Sequence, residues 1–330
     1  MIVLDLTNQK KMAVFPLFKS NISSLFPAAA NIPLFAVVFL IGICCQQITL
    51  AKSPKGELFE KGEIPVKLAG NFKFTEGPAC DKSGNIFFTD QPNNRIMKWS
   101  PEGKLSVFKE NSGHANGTYF DRRGNLVTCS DEKNEVWSIA PDGKVTVLVR
   151  EFEGKRLNGP NDLWIAPDGG IYLTDPFYKR SWWDHEKQEI DGQCVYYLAP
   201  NSSNLVRIVS DLEQPNGIIG TLDGKYLYVA DIKGKKTWRY LIARDGLLTD
   251  KKLFADQGSD GMTIDNQGNI YMTGNGVTVY DADGKLIVKI PTPESWTTNV
   301  CFGGKDRHLL FITTETSIFG LKMKVKGVSK

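Results

Sequence analysis

Histidine is nearly missing from this chain, with three in 330 residues. No Gly-x-Ser-x-Gly elbow accompanies them, which argues against a Ser-His-Asp hydrolase. Cysteine is sparse too. Of six in all, the four beyond residue 51 (Cys80, Cys129, Cys194 and Cys301) lack the short paired spacing of zinc or redox sites. In settings such as "LVTCS" and "NVCFGG" they read as buried thiols in strands. A charge of one sign is lacking as well: the formal net charge is +3. The first 51 residues hold Lys10, Lys11 and Lys19 against Asp5 alone, which leaves 37 basic and 36 acidic residues beyond them. A nucleic-acid partner needs a clustered basic face, and none is indicated. Long helical periodicities are also missing, while aromatics, glycine and proline are plentiful. That balance points to an all-β chain.

The apolar run "PLFAVVFLIGICC" (33–45) is too short for a comfortable bilayer span. Lysines precede it, and "QQITLAKS" follows with Thr49 and Ala51 as a small-residue cleavage site. Residues 1–51 therefore read as a signal peptide. The expectation is export, periplasmic or secreted, after cleavage near Ala51, with membrane contact only through an uncleaved segment. Ile43 is bulky where a lipidated Cys44 would want a small neighbour. Residues 52–65 are then an N-terminal extension and 66–330 the folded domain.

What the chain does have is repetition. Turn signals recur as "DKSGN" (81–85), "DRRGN" (121–125), "PDGG" (167–170), "LDGK" (222–225) and "DNQGN" (265–269). Each precedes a β-rich run: "IFFTD", "LVTCS", "IYLTD", "YLYVAD" and "IYMTG". A sixth copy, "GGKDRHLLFITT" (303–314), puts Arg307 where the glycine would stand. A second run with an aromatic follows in each unit, and in four units a further turn and β-rich stretch, so a unit is a meander of about four strands, repeating every roughly 40–50 residues. So small a sheet cannot cover both its faces, but six arranged radially can. The fold class is all-β, a six-bladed β-propeller of four-stranded antiparallel blades around a central metal-binding channel. The stretch "ELFEKGEIPVKLAGNFKF" is expected to lend a strand that closes the last blade.

Counting back eight positions from each turn glycine lands on Glu76, Asn116, Asn161, Asn216 and Asp260, and from Arg307 on Asn299. The first strand of a propeller blade lines the channel, so six oxygen-bearing side chains would form one ring. Asn and Asp also favour turns for local reasons, and Asn-Gly or Asp-Gly pairs recur here. Glutamate is a poor turn residue, however, and two neighbouring carboxylates call for a cation to offset their repulsion. Oxygen donors without thiolate or imidazole suit a hard divalent ion, Ca2+ before Mg2+, with Zn2+ or Mn2+ as substitutes. The second strands end at Asp90, Asp175 and Asp231, which either cap the next turn or support the metal. The mouth should also receive "KENSGHANG" with His114, "EGKRLNGPND" with Arg156, and the long insertion "PFYKRSWWDHEKQEIDGQC" with Tyr178, Trp182 and Trp183. His185 and His308 read as incidental.

These motifs resemble the gluconolactonase, or senescence-marker-protein-30-like, family of six-bladed propellers. The likeness spans residues 60–323 through "FTEGPACDKSGNIFFTD", "GKRLNGPNDLWIAPDGGIYLTDPFY", "LEQPNGIIGTLDGKYLYVAD", "GSDGMTIDNQGNIYMTG" and "TTNVCFGGKDRHLLFIT". It implies metal-dependent hydrolysis of a sugar lactone. It places the metal on Glu76 of "EGP", Asn161 of "PND", Asn216 of "PNG" and Asp260 of "SDG". Asp260 would activate the attacking water while the cation polarises the lactone carbonyl. Candidates for substrate contact are Asn116, His114, Arg156, Tyr178 and Asn299. Some relatives carry an arginine two residues before the channel asparagine, where this chain has Gly159, and Arg156 is the nearest substitute. Two alternatives stay open: a phosphotriesterase using the same four ligands, and a non-catalytic propeller whose metal plugs the channel.

Overall fold

The computed structural model describes residues 57–328, so the expected signal segment and its expected cleavage point lie outside the described residues. Within them the chain forms six consecutive sheets of four antiparallel strands, joined in simple up-and-down order. The inner strands are Thr75–Cys80, Ala115–Phe120, Leu163–Ile165, Pro215–Gly220, Met262–Ile264 and Thr297–Gly303. A 3-10 turn at Gln91–Asn93 and a two-residue hairpin, Glu151–Phe152 with Lys155–Arg156, are the minor additions.

Burial follows position within the blade. Second strands such as Ile86–Asp90, Leu126–Ser130 and Ile171–Asp175 are buried at every residue. Sheets cover both of their faces, which is why they read as continuous apolar runs rather than alternating ones. Fourth strands such as Leu105–Glu110 are half-exposed. Cys80, Cys129, Cys194 and Cys301 are unbridged, the last three buried and Cys80 half-buried.

The ring of blades is closed by its ends. Val66–Gly70 pairs antiparallel with Ser317–Lys322 and becomes the fourth strand of the sixth blade. The extension contributes as well: Leu58 is buried beside Met323 and Val325, and its carbonyl accepts from the Lys324 amide. At the remaining seam, Arg307 adopts the left-handed conformation (φ +62°) that glycine provides in the other units. Its guanidinium donates to the Asp81 carbonyl at 2.7 Å, a contact between the sixth and first blades that no glycine could make. Threonine hydroxyls also join inner strands, Thr298 to the Thr75 carbonyl at this same seam and Thr118 to the Gly77 carbonyl between the first two blades, both at 2.6 Å.

Asp90, Asp175 and Asp231 turn out to be clamps on the backbone. Asp231 accepts from the amides of Glu213 and Gln214 in the segment entering its blade, and from Gly234 in the next turn. Asp175 takes the amides of Asn158 and Gly159, and Asp90 takes the Lys73 amide together with the side chains of Asn93 and Arg95. These carboxylates fix the loops that deliver the ring residues to the axis.

Candidate functional site: the axial ring

Inner strands approach one another most closely at the axis, and the residue following each ring position shows how closely. A Cβ on Gly77 would lie 2.2 Å from the Asn116 carbonyl oxygen, and one on Gly261 only 2.0 Å from the Asn299 side chain. The recurring Glu-Gly, Asn-Gly and Asp-Gly pairs thus reflect crowding between blades rather than turns. Pairing is irregular at the same place: the ladder register shifts between Glu76 and Ala79, Ala115 and Thr118, Pro215 and Ile218, and Thr297 and Asn299. Such bulges re-aim a side chain, here toward the channel.

All six ring residues are buried, between 2 and 9 % exposed, and hydrogen bonds join neighbours in the ring. Asn299 Nδ2 donates to Glu76 Oε2 at 2.9 Å, and Asn216 Nδ2 to Asp260 Oδ1 at 2.9 Å. The Asn161 carbonyl accepts from the Gly117 amide beside Asn116. Burial raises the Glu76 carboxyl well above its usual range, with the Asp260 and Asp162 charges adding to it. Asp260 is likewise pushed up to about 6 by burial, against hydrogen bonds from Trp296 and Asn216.

Three participants carried no repeat-based signal. Asp162, next to Asn161, is buried with its carboxyl pushed up to about 7 and lies 3.5 Å from Asn299 Nδ2. The one hint was local: a carboxylate stands where four other units place glycine. Trp296 donates its indole N–H to Asp260 Oδ2 at 2.6 Å. Arg180, in the insertion, donates from Nε to the buried Asp131 at 2.6 Å.

The insertion does reach the mouth. Tyr178 accepts at its hydroxyl from Asn216 Nδ2 at 3.1 Å, and Trp182 stacks on His114 with centroids 4.1 Å apart. His114 is further held through Nδ1 to the Gln91 carbonyl. Arg156 is placed differently from the expectation. Its guanidinium pairs with Asp184 and Glu189 and meets His185, so it fastens the outside of the insertion, and His185 has a structural part in that fastening. His308 bonds the Met323 carbonyl, remote from the ring. Past the ring, a cavity of about 730 Å³ continues along the inner strands, from Gly77, Asp162 and Asn299 toward Phe87, Phe108 and Phe120.

Fold and site together define a six-bladed propeller with a buried ring of carboxylates and carboxamides across its axial channel. Residues 74–316 match the SMP-30/Gluconolactonase/LRE-like region. A gluconolactonase from Zymomonas mobilis is 30% identical over 307 residues, covering 83% of this chain and 86% of its own. A solved gluconolactonase structure from Xanthomonas campestris superposes with a TM-score of 0.75 at 31% identity, over 81% of this chain and 91% of that one. The fold alone is shared with a calcium-binding regucalcin from Agrobacterium tumefaciens, at TM-score 0.68 and 22% identity over 83% and 98% of the two chains. The chain belongs to the SMP-30/gluconolactonase family.

Proposed function

We propose that this protein is a lactonase that hydrolyses a sugar lactone of the aldonolactone class at the axial ring, using a divalent cation, calcium first. The observation that carries this reading is the ring itself: six buried oxygen-bearing side chains at one register, two of them carboxylates raised by burial. The donor set suits a cation. Nothing among the described residues donates to the buried Asn116 Oδ1 and Asn216 Oδ1, and an unpartnered buried carbonyl is costly unless something positive faces it. Among the described residues no three His, Cys, Asp or Glu side chains group as a metal site. Glu76, Asn161, Asn216 and Asp260 would hold the ion. When bound, it would polarise the lactone carbonyl and offset charge developing on its oxygen.

The chain's own groups do the rest. Asp260 is the general base, with Oδ1 fixed by Asn216 and Oδ2 by Trp296. Burial raises its proton affinity and a bound cation would lower it, so its basicity toward water is set by the balance of the two. That proton passes to the departing ring oxygen, which yields the hydroxy acid. Tyr178 accepts from Asn216, leaving its own O–H to donate to substrate.

The phosphotriester alternative is not favoured, because a gluconolactonase and a solved gluconolactonase structure each match four fifths of the chain at about 30% identity. Elemental analysis with a panel of lactones and phosphotriesters, before and after chelation, tests the reading. The expected result is lactone turnover that chelation abolishes and calcium restores. Retained metal with no turnover would favour the plugged, non-catalytic propeller. Export is part of the same proposal, and N-terminal sequencing of the mature chain should start just after Ala51.

A further inference from the structure

The insertion is docked through Asp131 and Gly159. Arg180 Nε donates to Asp131 Oδ2 at 2.6 Å, and the Trp183 indole donates to the Asp131 carbonyl. Gly159 makes room, since a Cβ there would lie 2.9 Å from the Trp183 ring. So docked, the Arg180 guanidinium lies 5.5 Å from the Tyr178 ring centroid and 5.8 Å from that of Trp182. Tyr178 in turn touches Asn216 of the ring. Arg180 is thus held one tyrosine's breadth from the proposed reaction centre.

Only Nε of that guanidinium is spent. The side chain is 22% exposed, and among the described residues none accepts from its two Nη nitrogens. A planar fork of this kind matches two oxygens at once, in a carboxylate or on adjacent carbons of a sugar. Charge separates the two. Asp131 already neutralises Arg180, and the carboxylates of Glu76, Asp162 and Asp260 in and beside the ring would still exceed the charge of a bound divalent cation, so an anionic substituent would meet more negative than positive charge. Neutral hydroxyls fit.

We infer that Arg180 is the specificity-determining residue of the site, gripping oxygens on adjacent carbons of a neutral polyhydroxylated lactone. This rests on the lactonase reading. It explains why a guanidinium is supplied by the insertion: Arg156, nearer the ring in sequence, is committed to Asp184 and Glu189.

The test compares gluconolactone with unsubstituted δ-valerolactone on the metal-loaded full chain. Wild type should favour gluconolactone in kcat/KM by at least about tenfold. Arg180→Gln should raise KM for gluconolactone by about tenfold or more, the worth of a charged hydrogen bond. Its kcat should stay within about threefold, and δ-valerolactone turnover should be unchanged. Arg180→Lys, which keeps charge but loses the fork, should restore only a minor part. Equal loss on both substrates, no loss on gluconolactone, full rescue by lysine, or a wild type without the preference would each overturn the inference. If no lactone is turned over, the parent reading fails by itself. Calorimetric binding of glucitol to wild type and Arg180→Gln then decides the point: binding weakened in the variant sustains the grip, and identical or absent binding in both sinks it.

Discussion

At the far end of the inner strands, Asp81, Asp121 and Asp265 each close a turn onto itself. One carboxylate oxygen accepts backbone amides two and four residues on, and the other takes the asparagine side chain four residues on. At the near end the same kinds of residue reach across blades. Glu76 is met by Asn299, Asp260 by Asn216 and Trp296, and the Asn116 and Asn216 side-chain carbonyls meet no donor among the described residues. Composition is alike at the two ends; what differs is whether the polar groups are satisfied locally. Local satisfaction builds a turn, and buried groups left open toward a shared axis build a place for something else to bind.

The sharpest way to break this contrast is to neutralise one carboxylate at each end. Asp260→Asn should lower lactone kcat by about 10²–10⁴-fold, the usual worth of a general base, and leave the propeller folded. Asp121→Ala should leave turnover unchanged and cost about 1 kcal/mol in chemical denaturation through its lost turn bonds. Comparable kinetic damage from both variants would erase the distinction.

Glycines offer a second comparison. Gly117→Ala puts a Cβ 2.6 Å from the Asn161 carbonyl and 2.5 Å from the Asp162 carboxylate, and should destabilise by about 1–3 kcal/mol while impairing turnover. Gly124→Ala meets no atom within 4 Å but keeps a positive φ, so it should cost only about 1 kcal/mol and spare activity. Urea titration alongside lactone assays separates them.

The smallest effect is in pH. Burial pushes the carboxyls of Asp162 and Asp175 up to about 7 and Asp260 to about 6. Each group binds its proton more readily in the folded chain. Its contribution to stability is therefore full below the ordinary carboxylate range near pH 4 and is lost as pH rises through 6 to 7. Metal-free protein should melt at a higher temperature near pH 5 than near pH 8. Calcium should raise the pH 8 value more, and a slope unaffected by calcium would count against a cation at the ring.

Much of this was legible in one dimension, for a specific reason. A propeller repeats its unit, so a register defined by turn glycines carries over to the opposite end of each strand, and the six ring residues could be counted out. The closing strand was legible from the same logic. Where the repeat breaks, the reading broke too. Arg156 looked like the cation for the mouth because it is near Asn161 in sequence, yet its partners lie in the insertion. Asp90, Asp175 and Asp231 were ambiguous because a carboxylate's hydrogen-bond donors are chosen by neighbouring loops. Asp162, Trp296 and Arg180 stand outside the repeat and act through contacts 36 to 137 residues apart.

Periodicity by itself determined the number of blades, the axial register of Glu76, Asn116, Asn161, Asn216, Asp260 and Asn299, and the oxygen chemistry they share, because each depends on spacing and residue type alone. Only the tertiary structure decided which of those side chains hydrogen-bond one another, which carbonyls stay open, and which arginine stands over the mouth. Those outcomes turn on a few ångströms of approach between strands far apart in the chain, and no local pattern encodes them.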